Sequence, residues 1–339
     1  MSKLKLVQVC RAFAVLAVVF FHLSESSRTE LGSTFFGSFS KFGYSGVDLF
    51  FVISGFIIFY TSSKYIENKT PFKFLIKRLL RLYPVYWIVI GGLFVASYLM
   101  TDTSSVGDTF SAADIPATIS LWFGHEMLNG VSWSLSYELY FYFMFFLFLL
   151  NRKFLLVGAS VLTLSVVNLL IAPEWLNTGV LEYLTNPFLI EFGFGLLAAY
   201  LVKEKIGGPI LGVLGVVLLL IGGYLYDHEI SRILLYGIPS FLIVVGFSSW
   251  EVKKNIEFKF LKIPSLIGDA SYSMYLIHLP MLRIAHKISA KHVDSVMSNY
   301  VVNFFIVISI IGVSILFYSF IEKPLIKKLN HHFQGHNKS

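Results

Sequence analysis

LVQVCRAFAVLAVVFFHLSE, residues 6–25, decides the fold class. Between Val9 and Leu23 its only strongly polar side chains are Arg11 and His22. A helix crossing the hydrocarbon core needs about 20 mostly apolar residues, because the core is roughly 30 Å thick and a helix rises about 1.5 Å per residue. The segment meets that length. It must be helical, because backbone amides in lipid have to be satisfied within the segment itself.

The same kind of stretch recurs along the chain. Ten spans are expected, near 6–25, 44–63, 83–101, 132–150, 154–172, 180–202, 208–226, 231–250, 265–286 and 300–321. Pro239 interrupts the eighth. The connections are short except 102–131, which carries Asp102, Asp108, Asp114 and Glu126 and its own apolar run at 115–123. That run is too short to span and reads as a re-entrant or interfacial piece. The expected class is therefore all-α, a polytopic transmembrane bundle of about ten helices. Residues 1–330 form one domain, and 331–339 a short polar tail.

Composition agrees. Of 339 residues, 56% are apolar and only 14% charged, against roughly 25% charged in soluble domains. Mean hydropathy is +0.72. A large water-soluble core is excluded. Lysine and arginine set the orientation. With the N-terminus in the cytoplasm, only Arg28, Lys41, Arg232, Arg283, Lys287 and Lys291 of the 27 fall on the outer side, and Arg11 lies inside the first span. Both termini are expected in the cytoplasm. The net charge of +7 then reflects topology and not a nucleic-acid footprint. Read as a cleaved signal peptide, residues 1–25 would have an apolar region broken by Arg11 and no small-residue cleavage site. The lone Cys10 excludes an internal disulfide and any cysteine-based metal site. No metal is expected, and no Gly-rich phosphate loop, HExxH or obvious repeat is present.

Charges inside a span cost about 2.5–3.5 kcal/mol on insertion scales, so they are functional candidates. Arg11 and His22 are eleven residues apart, which returns to nearly the same helix face roughly 16 Å further along. Arginine suits phosphate recognition, and histidine suits proton transfer near neutral pH. Each could instead be an interfacial residue; the shared face favours the joint reading. In GYSGVDLFFVISGF (43–56), Asp48 could orient a histidine from a neighbouring helix or merely complement the helix dipole. Gly43, Gly46 and Gly55 permit close helix approach. Before the third span, KRLLRLYPVYW (77–87) puts Arg78 and Arg81 on one face. They would grip an anionic ligand or simply anchor the inner boundary.

WSLSYELYFYF (133–143) places Glu138 about two turns in, flanked by Trp133 and Tyr137. SYSMYLIHLP (271–280) carries His278, either a packing histidine or a substrate contact. Glu191, in PFLIEFGFG (187–195), is a further buried acid without an assigned role. Glu322 and Lys323, before Pro324, read as a structural stop.

Taken in order, RAFAVLAVVFFH, GVDLFFVISGF, RLLRLYP, WSLSYELYF, SYSMYLIHLP and IEKP resemble the acyltransferase-3 family of bacterial integral membrane acyltransferases, over essentially the whole chain. The resemblance implies a ten-helix domain of the bacterial inner membrane. It would take an acyl group, commonly acetyl, from cytoplasmic acyl-CoA and deliver it to a surface polysaccharide, O-antigen or lipid-linked sugar. The family's Arg-x10-His pair falls on Arg11 and His22, its arginine motif on Arg78 and Arg81, and its W-S-L-x-x-E element on Trp133 to Glu138. Acyl-CoA is implied as co-substrate, with no permanently bound cofactor. The SGNH-type domain that some members append is expected to be absent, since the chain ends after IEKPLIKKLNHHFQGHNKS.

Joined, the two readings make His22 the base toward a sugar hydroxyl, with Glu138 or Asp48 orienting it. Transient acylation of His22 stays open. Arg11, Arg78 and Arg81 hold the CoA phosphates, and Trp133, Tyr137 and His278 lie toward the acceptor. The alternative is a transporter or flippase of a glycan or lipid-linked sugar, which moves its substrate unchanged. Acceptor identity and oligomeric state are not legible in these residues.

Overall fold

A computed structural model describes residues 4–32, 35–99, 110–176, 178–225, 231–254, 261–289 and 296–335. Every regular element among them is helical. The chain divides into two compact units. One comprises Met1–Phe21, Phe36–Pro71 and Tyr137–Asp269; the other comprises His22–Phe35, Phe72–Ser136 and Ala270–Ser339.

Among the described residues, eight helices are long and apolar enough to cross a membrane. They cover Lys5–Leu31, Ser40–Tyr60, Pro71–Tyr98, Trp133–Leu150, Phe154–Ile171, Gly179–Lys203, Ile233–Lys254 and Met297–Phe333. Two of the ten expected spans, 208–226 and 265–286, are not among these eight. Pro209–Leu225 is apolar but shorter. Ser271–Ser289 contains Pro280 and is loaded with polar side chains, several of which are buried against partners in its unit.

The first unit is assembled on helix α1 (Lys5–Leu31) as far as Phe21 and on α2 (Gly46–Tyr60). The amides of Lys5 and Leu6, at the start of α1, donate to Glu251 Oε1 and Oε2 at 2.7 Å each. A carboxylate thereby satisfies donors that have no intrahelical acceptor. The three glycines expected to allow close packing do so. A Cβ on Gly43 would lie 2.1 Å from the Ala17 carbonyl oxygen, and one on Gly46 would lie 2.3 Å from that of Ala14. Gly55 of α2 faces Gly195, where a Cβ would lie 2.3 Å from the Val52 carbonyl oxygen. With lipid tails as apolar as leucine, such backbone contact is what holds helices together. Alanine is the better helix former by about 1 kcal/mol, yet Gly195→Ala is expected to lower the thermal midpoint of the purified protein. Gly91→Ala, where a Cβ meets nothing within 4 Å, should leave the midpoint unchanged or raise it.

The second unit is built on α4 (Pro71–Leu99), named after the short α3 (Ser63–Glu67) of the first unit. Helix α4 begins twelve residues ahead of the expected third span, so Arg78 and Arg81 lie within the helix and not before it. The apolar run at 115–123 contains the short helix α5 (Ile115–Ser120). Three α4 side chains take its carbonyls: Tyr86 donates to Thr118 O at 2.6 Å, Tyr83 to Ser120 O at 2.7 Å and Trp87 to Ile119 O at 3.0 Å. A non-spanning piece thus has its helix end satisfied by side chains. The preceding turn is closed by Ser111 and Asp114. The Ser111 amide and hydroxyl hold the Asp114 carboxyl below the usual carboxylate range. Asp102 and Asp108 lie outside the described residues.

The remaining helices are α6 (Trp133–Leu150), α7 (Phe154–Ile171), α8 (Gly179–Leu184) and α9 (Phe188–Lys203). They continue as α10 (Pro209–Leu225), α11 (Ile238–Lys254), α12 (Lys262–Asp269), α13 (Ser271–Ser289), α14 (Val296–Phe317) and α15 (Lys323–Gly335). Two prolines expected to break helices do not. A π-turn, Ile233–Gly237, runs directly into α11 ahead of Pro239. A second, Tyr318–Glu322, joins α14 to α15 ahead of Pro324. Proline lacks an N–H and crowds the carbonyl four residues back; a wider i→i+5 turn just before it relieves both problems. The expected stop at Glu322–Lys323 is therefore replaced by a continuing helix, and Glu322 instead accepts a hydrogen bond from Ser273 of α13.

Candidate functional site

His22 and His278 meet in the second unit. His278 is fully buried on α13, while His22, on α1, is partly exposed. His278 Nε2 lies 3.2 Å from His22 Nδ1, and the ring centroids are 5.2 Å apart. The other nitrogen of His278, Nδ1, is 3.1 Å from the Met274 carbonyl oxygen. That contact sets the direction of the whole chain of hydrogen bonds. A carbonyl only accepts, so His278 Nδ1 carries the hydrogen. In a neutral imidazole Nε2 is then the acceptor, and His22 Nδ1 must be the donor. The hydrogen of a neutral His22 then sits on Nδ1, which makes Nε2 its basic nitrogen. A histidine in that state is a base.

The local structure that places His278 comes from the WSL element. Ser134 Oγ is 2.7 Å from the Tyr275 hydroxyl, which also donates to Val131 O at 3.0 Å. Asn129 Nδ2 donates to Leu276 O at 2.9 Å. The Tyr275 ring lies 5.8 Å from the His278 ring. Residues 129–134 thus grip the α13 turn that carries the buried imidazole. Trp133 begins α6 and is half-buried. Arg78 and Arg81 belong to this same unit, both half-buried on α4, with the Arg78 guanidinium 5.5 Å from the Phe74 ring centre.

Asp48 is fully buried in the first unit, but its partner there is Arg232 and not a histidine. Arg232 Nε donates to Oδ1 at 2.8 Å, and Nη2 donates to Oδ2 at 2.7 Å. This is the two-pronged geometry that suits arginine and carboxylate. The guanidinium carbon also sits 3.8 Å from the Tyr44 ring centre and 4.8 Å from that of Phe188. Glu191, fully buried, is in the field of the same pair. Neither of its oxygens accepts a hydrogen bond among the described residues. Arg232 is the residue that sequence reasoning missed, because it read only as one of the six outer-side charges that set the orientation. The available signal was the pair of in-span acids, Asp48 and Glu191, which need a cation to be tolerated in an apolar interior.

Glu138 is half-buried in the first unit. Ser54 Oγ donates to its Oε1 at 3.0 Å, and the Tyr142 hydroxyl donates to the same oxygen. Tyr137 stacks on Tyr183 with centroids 4.5 Å apart, and meets Phe188 edge-on at 5.6 Å. Arg11, half-buried on α1, donates to Gln8 Oε1 at 3.1 Å. Glu138 and Asp48, the carboxylates expected to orient His22, are held by these groups of the first unit, while His22 shares a hydrogen bond with His278 in the second.

A family profile described as an acyltransferase domain matches residues 5–319. The chain is 29% identical over 264 residues to the exopolysaccharide production protein ExoZ of Rhizobium meliloti (strain 1021), covering 72% of this chain and 78% of that protein. It is 27% identical over 368 residues to a predicted O-acetyltransferase of Staphylococcus aureus (strain COL), covering 94% of this chain. Only 56% of that relative's own length is spanned. A predicted acetyltransferase of Acidianus two-tailed virus is 26% identical over 288 residues, 80% of this chain and 81% of the relative. No solved structure matches.

Proposed function

The chain belongs to the acyltransferase family and is a multi-pass membrane enzyme; we propose that it moves an acyl group, acetyl by the names of its relatives, from cytoplasmic acyl-CoA to a hydroxyl of a surface polysaccharide, O-antigen or lipid-linked sugar. The observation that supports this reading is the His22–His278 pair, in which the Met274 carbonyl puts the hydrogen on His278 Nδ1 and so makes His22 Nδ1 the donor to His278 Nε2. The acceptor hydroxyl gives its proton to Nε2 as its oxygen attacks the acyl carbonyl. The bond from that carbonyl to its leaving group breaks, and the proton then passes to the departing atom. Arg78 and Arg81 take the CoA phosphates as charge-assisted hydrogen-bond donors, and Arg11 is a further phosphate ligand by residue type. Trp133 and Tyr137 offer aromatic faces to a sugar. Both termini lie in the cytoplasm in this reading, and the membrane is the bacterial inner membrane.

Thiol release by the purified protein in nanodiscs, with acetyl-CoA and a panel of glycans, tests the reaction. Release that depends on the glycan is the expected result. Movement of an unchanged glycan across a proteoliposome membrane without any thiol release would make the protein a transporter.

A further inference from the structure

A second imidazole of the same unit has a different neighbour. His286, two turns beyond His278 on α13, is fully buried. Its Nε2 lies 2.8 Å from Asn303 Oδ1, and its Nδ1 lies 2.7 Å from Ser26 Oγ. Asn303 Nδ2 donates to the Asn299 carbonyl at 3.0 Å, which fixes the amide so that Oδ1 faces the ring. Since Oδ1 accepts, His286 Nε2 carries the hydrogen, Nδ1 is bare, and the Ser26 hydroxyl must donate to it. Ser27 Oγ donates to Asn299 Oδ1 at 3.0 Å and fastens the far end of the set. Ser27, Asn299 and Asn303 are fully buried, whereas Ser26 is partly exposed.

Buried serines and asparagines often serve only to join helices in an apolar medium. Glue requires no particular direction of hydrogen bonding and no outward-reaching member. Here every proton position follows from one backbone carbonyl, and the chain ends on a hydroxyl aimed at a free imidazole nitrogen. Nucleophile, base and a third group that orients the base are the parts of an activated hydroxyl, and asparagine serves as the third group in known hydrolytic triads. Ser26 also lies one turn beyond His22 on α1, about 6 Å along the axis.

We propose that Ser26 is a nucleophile, activated by His286 and positioned through Asn303, which takes the acyl group as a serine ester before the acceptor does. This rests on the acyl-transfer reading above. Ser26 Oγ attacks the thioester carbonyl, the Oγ–C bond forms and the C–S bond breaks. The hydroxyl proton moves to His286 Nδ1 and then to the thiolate sulfur. In the second half the acceptor oxygen attacks the ester and the Oγ–C bond breaks. The acceptor's proton, carried by His22 Nε2, returns to Ser26 Oγ.

The test is covalent labelling of the full chain in detergent by a fluorophosphonate, a reagent that phosphonylates activated serines with loss of fluoride and needs no CoA. Peptide mapping is expected to place the label on Ser26. His286→Gln should slow labelling by about 10²–10⁴-fold, the usual size of general-base assistance. Asn303→Leu should slow it by a smaller factor while Asn303→Asp retains it. The wild type incubated with acetyl-CoA alone should gain one acetyl group, removable by hydroxylamine and missing in Ser26→Ala. Unlabelled Ser26 in a wild type that turns over acetyl-CoA would overturn the serine intermediate alone. So would labelling of His286→Gln at the wild-type rate. Labelled Ser26 without acetyl-CoA turnover would support the nucleophile and overturn the donor named above.

Discussion

His22→Ala is expected to cut acyl transfer by about 10²–10⁴-fold, the range that general-base assistance supplies, with the protein still inserted and monodisperse. The size follows from the position of the lone pair. His22 Nε2 is the atom left without a hydrogen by the Met274–His278–His22 chain, and alanine removes it without touching the buried His278. His22→Gln should be nearly as poor, since an amide nitrogen accepts no proton. His278 acts through His22 and is a positioning residue. Its replacement by alanine should therefore lower kcat with little change in the KM for acyl-CoA, whereas Arg78→Ala or Arg81→Ala should raise that KM. Initial-rate thiol release over a range of acetyl-CoA concentrations separates these outcomes. Wild-type transfer by His22→Ala would falsify the assignment of the base.

Removing Arg232 should be the most damaging single change to stability. Taking one partner from a buried ion pair typically costs about 3–5 kcal/mol, because the other charge is left uncompensated. Arg232→Met leaves two buried carboxyl groups, Asp48 and Glu191, in one apolar neighbourhood without the guanidinium that pairs with Asp48. Asp48→Asn is expected to cost less, because the asparagine Oδ1 can still accept from the Arg232 guanidinium. The order is testable by thermal unfolding of the purified variants in one detergent, with Arg232→Met below Asp48→Asn. Adding Asp48→Leu to Arg232→Met should recover part of the loss, since one of the two stranded acids is then gone. Equal midpoints for the two single variants would show that an amide cannot stand in for the Asp48 carboxylate.

Much of the site was legible as residue types, far less as partnerships. Arg11, His22, Asp48, Glu138 and Glu191 stand out because an ionisable group in an apolar run is expensive, and that cost can be read one residue at a time. Who satisfies each group cannot. His22 and His278 are 256 residues apart, Asp48 and Arg232 184, and Ser26 and His286 260. Their meeting depends on the rotation of each helix about its own axis, which is set by packing against neighbours. Arg232 and Ser26 drew no notice because a flanking arginine and a serine near a helix end are both unremarkable alone.

The sequence by itself determined that the chain is all-α and crosses the membrane many times, because an apolar run long enough to span leaves the backbone no other way to satisfy its amides. It also determined the family, through motifs whose order is local information, and the close helix approaches at Gly43, Gly46 and Gly55, because a missing Cβ is visible in any register. Only the tertiary structure decided that α11 and α15 continue past Pro239 and Pro324, since a π-turn is a local distortion that surrounding packing must hold. It alone decided that the imidazole of His278 lies against that of His22. Hydrogen-bond direction is set by which acceptor lies within reach, here the carbonyl of Met274, and that distance exists only once the helices are packed.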